Sequence, residues 1–207
     1  WLRNYQRVMG GGLAAIWARL RLDPEPLIPQ SAAAQSGARV GMMELVAACS
    51  VQVEQPAAWP EKFGDRVPPL AGAYAFPAIV LSEFKDAEVT GGSNLVAAGG
   101  AVIHHDLFRP SHDFTSEELH GRIHIEPLRS CVWRFRRSSA VREFDQAALF
   151  TDACATNYAH WLTEVLPRVH AYAKSAPPAG SVALFDAGLH RNLVHSAELM
   201  LPEGVRS

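Results

Sequence analysis

Cysteine is scarce in this sequence: Cys49, Cys131 and Cys154 are odd in number and widely spaced. That excludes a disulfide framework or a zinc knuckle and reads as unpaired thiols in a reducing, cytoplasmic setting. An excess of either charge is also lacking. Nineteen Lys and Arg face 21 Asp and Glu, a formal net charge of −2, so nucleic acid is not an expected partner. No apolar run approaches the roughly 20 residues that a membrane-spanning helix needs. The stretch Gly10–Ala18, among Arg3, Arg7 and Arg19, is too short and too interrupted for a signal peptide. It reads as a marginal amphipathic helix, which leaves open a peripheral association with membranes. What is present is 48% hydrophobic and 19% charged residues over 207 positions, a globular composition too apolar for disorder. The start at Trp1 and the stop at Ser207, just after an apolar helical pattern, read as cuts in a longer protein.

Two divisions are expected from composition. Residues 1–77 form an extension of uncertain fold, partly helical and rich in proline. Within it, residues 22–37 read as a linker or loop, and the prolines between 54 and 78 make a long helix unfavourable. Residues 78–207 follow another rule. Ala78–Leu81, Glu88–Thr90, Asn94–Ala97, Ala101–His105, Arg122–Ile125 and Val132–Phe135 are short segments rich in Val, Ile and aromatics. Glycine pairs break them, as in strands joined by tight turns. Beyond them come a strand at Ala147–Thr151, a helix from about Tyr158 to Lys174, a strand at Val182–Phe185 and a helix at about Leu189–Leu201. That spacing is a βαβ unit and predicts a parallel sheet. The expected class is therefore α/β: a short β-rich segment leading into a Rossmann-like parallel sheet.

The chemistry concentrates in Thr156–Arg168, TNYAHWLTEVLPR. Thr156 or Asn157 suits an N-cap, because a side-chain oxygen there accepts an orphan amide. Tyr158, Trp161, Leu162, Val165, Val169 and Tyr172 fall in one arc at helical spacing, predicted to pack on the sheet. Asn157, His160, Glu164 and Arg168 form a second stripe, spaced by three, four and four. Pro167 lacks an amide, so a kink is expected there. An imidazole beside a carboxylate, near a helix amino end, is a suitable proton acceptor for a hydroxyl nucleophile. The same stripe is also what a solvated helix face looks like, with His160 and Glu164 a plain surface pair. The spacing is not that of a zinc-protease helix.

At these residues the chain resembles glycosyltransferase family 61, the DUF563-type transferases that include enzymes of capsular polysaccharide biosynthesis. Its motif, Asn-Tyr-x-His-Trp-x-x-Glu-x-x-Pro-Arg, is matched by Asn157, Tyr158, His160, Trp161, Glu164, Pro167 and Arg168. Asp86–Phe108 is similar to the family's segment of short strands with a Gly-rich turn, and the likeness covers roughly residues 78–201. The resemblance implies the amino-terminal, acceptor-side half of a GT-B transferase, with the donor-binding half and its Gly-rich loop absent. It implies inverting, metal-independent transfer from a nucleotide sugar to a saccharide hydroxyl, with no cofactor beyond that donor. His160 would be the base, oriented or replaced by Glu164. Asn157, Tyr158 and Arg168 would bind substrate, and Trp161 would be structural. This chain alone is then expected to be inactive. The alternative from another class is a non-catalytic module that binds carbohydrate or a partner chain.

Other signals are weaker. His104, His105, His112, His120 and His124, with Asp106, Asp113 and Glu126, suggest a metal-dependent β-rich enzyme. Adjacent histidines on a strand face opposite ways, however, and no metal site is expected. Gly91–Gly92–Ser93 and Gly99–Gly100 sit between strands and read as tight turns rather than phosphate cradles. Arg134, Arg136 and Arg137 read as a half-exposed edge strand, and Ser138, Ser139 and Cys154 lack the setting of a nucleophile.

Overall fold

The structure, a computed structural model, describes residues 24–37, 39–55, 57, 60, 70–105, 116–119, 123–126, 129–134 and 141–207. The amphipathic segment at Trp1–Leu20 lies outside them, as do Asp106, His112, Asp113, His120, Arg136, Arg137, Ser138 and Ser139. Contacts divide the chain into two compact units, residues 1–40 with 83–207, and residues 41–82. The first thus draws on both sides of residue 77.

The larger unit is built on a six-stranded mixed sheet of β1 (Glu25–Pro29), β6 (Glu88–Val89), β7 (Val96–Ala98), β8 (Ala101–His104), β9 (Ile123–Glu126) and β10 (Cys131–Arg134). Its order is β6-β7-β8-β1-β10-β9. Four of its five pairings are antiparallel, and only β1 with β8 is parallel. Alternation along the strands makes two apolar faces. Leu27, Leu95, Val102, Ile123, Ile125 and Val132 pack on one, and Ala33, Ala98 and Ile103 cluster apart from them. Gly99 and Gly100 both take positive φ and form the two-residue turn between β7 and β8, where Ala98 faces Ala101. Glycine adopts such a pair without strain.

This sheet overturns the Rossmann-like α/β expectation. Strands dominate the described residues, and they pair mostly antiparallel. The parallel pairing read from the βαβ spacing is confined to β11 (Ala147–Leu149) and β12 (Val182–Leu184), a separate two-stranded sheet. The physical reason lies in β1. Residues 22–37 were expected to be a loop because of their prolines, yet β1 enters the sheet between β8 and β10. Leu27 N–H donates towards β10, to Ser130 O, and Gln30 N–H donates towards β8, to His104 O. By alternation, the missing donor of Pro26 points to the β8 side before that pairing begins. That of Pro29 points to the β10 side after that pairing has ended. Neither proline removes a ladder bond.

Arg134 is likewise not on an edge, because β10 lies between β1 and β9. Its guanidinium grips Glu25 through two bonds of 2.6 and 2.7 Å and reaches Glu88 at 3.3 Å. Hydrogen bonding to Glu25 holds its pKa above the usual arginine value, against the opposing effect of burial. The fork joins β10, β1 and β6 across the sheet. Glu25→Gln is expected to lower unfolding free energy by about 1–3 kcal/mol, as loss of a charge-assisted pair does. Urea denaturation should show a lower midpoint at unchanged slope.

Two further ribbons are β2 (Arg39–Val46) with β5 (Ile79–Phe84) and β3 (Cys49–Val53) with β4 (Gly72–Phe76), the second lying wholly in the smaller unit. In the second ribbon Cys49, Val51 and Val53 lie opposite Phe76, Tyr74 and Gly72. One face is therefore largely apolar, while Ser50, Gln52, Ala73 and Ala75 occupy the other.

Candidate functional site

Between β11 and β12 the chain forms one continuous helical segment in three parts. These are α1 (Tyr158–His160), a π turn (Trp161–Val165) and α2 (Leu166–Lys174); α3 (Arg191–Glu198) follows β12. Asn157 is the N-cap, extended at φ −82°, ψ 122°, and its Oδ1 accepts the Ala159 N–H at 2.9 Å. The π turn ends where Pro167 begins to act. Proline offers no N–H to the Thr163 carbonyl, and a widened turn just before it accommodates the missing bond. Leu166 N–H instead donates to Trp161 O, a five-residue step.

The widened turn redistributes the two predicted stripes. Trp161, Val165, Val169 and Tyr172 are buried as read, and Leu166 joins them. Tyr158 and Leu162 do not pack on the sheet: they are 67% and 44% exposed. Tyr158 stands on the first turn, and Leu162 lies about 100° round the helix axis from the buried Trp161. Trp161 donates its indole N–H to Ser196 Oγ at 2.9 Å. Its ring lies 6.0 Å from that of Phe185, which stacks on Phe150 at 5.4 Å.

In the polar stripe, His160 Nδ1 and Glu164 Oε1 are 2.6 Å apart, with the two side chains 40% and 48% exposed. A carboxylate only accepts, so in the neutral ring the proton sits on Nδ1 and the Nε2 lone pair is the basic site. Arg168 leaves the stripe and turns inward. Its Nε–H donates to the Glu164 carbonyl at 3.1 Å, Nη1 to Thr151 O at 3.4 Å and Nη2 to Asp152 Oδ2 at 3.2 Å. Burial pulls its pKa below the usual arginine value, and Asp152, Glu164, Asp186 and Glu117 push it back up. Three of its five N–H donors are thus engaged among the described residues.

Sequence reading missed Asp152 and Asp186. Leu149 and Leu184 are paired in register, and each strand runs on through phenylalanine to an aspartate, as LFTD and LFD. That shared ending just past a parallel pair was the available signal. The Asp152 N–H donates to Asp186 Oδ2 at 2.9 Å, and the Gly92 N–H bonds Asp186 Oδ1. The glycine pair at 91–92 therefore meets a carboxylate rather than a phosphate. Ser93 Oγ donates to the buried Glu117, and Thr151 Oγ1 bonds Ser93 O. Cys154 is half-buried beside Asp152, whose Oδ1 accepts its N–H.

Two surface concavities lie elsewhere. One of about 810 Å3 is lined by residues including Gln146, Gly180 and Val182, at the starting ends of β11 and β12. One of about 260 Å3 lies around Glu198, Leu201 and Val205. Neither takes in Asn157, His160 or Glu164.

His104, His105 and His124, the described histidines of the 104–124 group, have partners of their own. His104 is buried, with Nδ1 2.7 Å from the His105 carbonyl oxygen, and His105 is exposed. His124 packs on Trp133, with ring centroids 5.6 Å apart. Among the described residues no group of three His, Cys, Asp or Glu is placed to hold a metal ion. Burial lowers the His124 pKa below 6.5, more than Glu126 raises it. A histidine kept neutral in the fold makes the unfolded state the better proton binder as pH falls through 6.5. Stability should therefore decline from pH 7.5 to 5.5, and His124→Gln should flatten that decline in thermal melts across the range.

No protein-family model matches the chain. No curated protein and no solved structure is significantly similar to it. No helix among the described residues is long and apolar enough to cross a membrane.

Proposed function

We propose that the protein is a glycosyltransferase that moves a sugar from a nucleotide sugar to a saccharide hydroxyl with inversion, in the building of a surface or capsular polysaccharide. The observation that carries the reading is the 2.6 Å contact between His160 and Glu164. It leaves Nε2 as a proton acceptor on a side chain that solvent reaches, as deprotonation of an acceptor hydroxyl requires. Seven motif positions shared with family 61 support the same chemistry. Tyr158, on the first helical turn two residues before His160, presents an exposed ring suited to stacking on the apolar face of a sugar. Asn157 and the Arg168 guanidinium supply hydrogen bonds of the kind that an acceptor or a diphosphate needs. Trp161, wholly buried, is structural. No metal takes part in this mechanism, and inversion follows from a single in-line displacement. Three unpaired thiols suit a cytoplasmic location.

The test uses protein expressed from the complete reading frame. It is incubated with a panel of uridine-, guanosine- and cytidine-nucleotide sugars and oligosaccharide acceptors, and products are read by mass spectrometry. The expected result is an acceptor heavier by one glycosyl unit, formed in the presence of a chelator. Release of neither nucleotide nor glycosylated product across the panel would remove the reading.

A further inference from the structure

Asp152 is 5% exposed and bonded on every side. Its Oδ1 takes the Cys154 N–H, its Oδ2 takes the Arg168 guanidinium, and its own N–H is held by Asp186. Arg168 in turn donates to the carbonyl of Glu164, the residue that holds His160 Nδ1. That carbonyl sits near the end of the π turn, where Pro167 removes an ordinary helical bond. Long side chains half exposed to water, like those of His160 and Glu164, hold a single geometry poorly unless their backbone is fixed from below.

We propose that Asp152 is the positioning residue of the His160–Glu164 pair, acting through Arg168 to fix the turn that carries Glu164. Asp152 supplies a buried anchor tied to Asp186 and the Gly92 loop. Arg168 is the strut, since only its planar fork reaches a carboxylate and a carbonyl together. A lysine at 168 would keep the charge but not both contacts. The role assigned to the pair rests on the transferase reading, whereas the mechanical link does not.

The experiment records 15N spectra of the His160 ring in the full chain, for the wild type, Asp152→Asn, Arg168→Lys and the double variant. Each single change is expected to lower the ratio of Nδ1–H to Nε2–H tautomer by about threefold or more, within the range of couplings between contacting residues. The double variant should fall no further than the stronger single one, because both break the same link. Should Asp152→Asn fail to fold, Arg168→Lys and Arg168→Gln, at a position one-third exposed, carry the same readout. Unchanged ratios in folded variants, or effects that multiply in the double variant, would overturn the proposal. A lowered ratio together with a wild type that transfers no sugar sustains the positioning role and removes the transferase reading. Transfer by the wild type with an unmoved ratio does the reverse.

Discussion

His160→Ala is expected to slow glycosyl transfer by about 10²–10⁴-fold, the usual contribution of a positioned general base, with little change in thermal melting. The asymmetry follows from where the residue sits. Its side chain is 40% exposed and contacts an exposed carboxylate. Exposed pairs of this kind contribute only a few tenths of a kcal/mol to a helix. Removing the ring takes away little packing but the whole of the basic nitrogen. Steady-state kinetics should show the loss in kcat, with KM for the acceptor nearly constant, because the base acts in the transition state. A fall in kcat that accompanies a large drop in melting temperature would mean that the ring supports the fold instead.

Trp161→Ala, one position further on, is expected to do the opposite and lower unfolding free energy by roughly 3–5 kcal/mol. Trp161 is fully buried, and its ring meets Phe185 just past β12, itself stacked on Phe150 beyond β11. Truncation opens a cavity between the parallel pair and its connecting helix. It also strands the Ser196 hydroxyl, which keeps its donation to Leu193 O but loses the indole donor. For a chain of this size the change corresponds to a melting shift of roughly 6–20 °C. Trp161→Phe retains most of the packing and drops the hydrogen bond, so about 1 kcal/mol should be lost. Denaturant unfolding of the two variants separates volume from polarity. Equal costs would show that the hydrogen bond, not the ring, dominates.

Much of the local structure was legible from the sequence, while the assembly was not. The segments between 78 and 135 carried the alternation and the glycine pairs of strands, and Gly99–Gly100 forms the turn that its composition suggests. The strand–helix–strand spacing from 147 to 184 is likewise present. Alternation, however, says that a residue is in a strand and not which strand lies beside it. β1 inserts between two strands more than seventy residues away, and its prolines concealed it because local composition does not show which donors a sheet will need. Extending the parallel spacing to the whole domain therefore gave the wrong class. In the candidate site, the closeness of His160 and Glu164 was visible in their helical spacing. The inward turn of Arg168 was not. The π turn ahead of Pro167 shifts the register, and the carboxylate that draws the guanidinium in lies sixteen residues upstream. Asp186 reaches the site only through folding, thirty-four residues from Asp152.

The protonation pattern of the His160 ring bears most directly on the claim that this pair accepts a proton. In selectively 15N-histidine-labelled protein, the neutral ring is expected to carry its proton on Nδ1, bonded to Glu164, and to show a pyridine-like Nε2. Glu164→Gln should shift the balance towards the other tautomer. A wild-type ring protonated on Nε2, with Nδ1 bare towards Glu164, would contradict the assignment of Nε2 as the base.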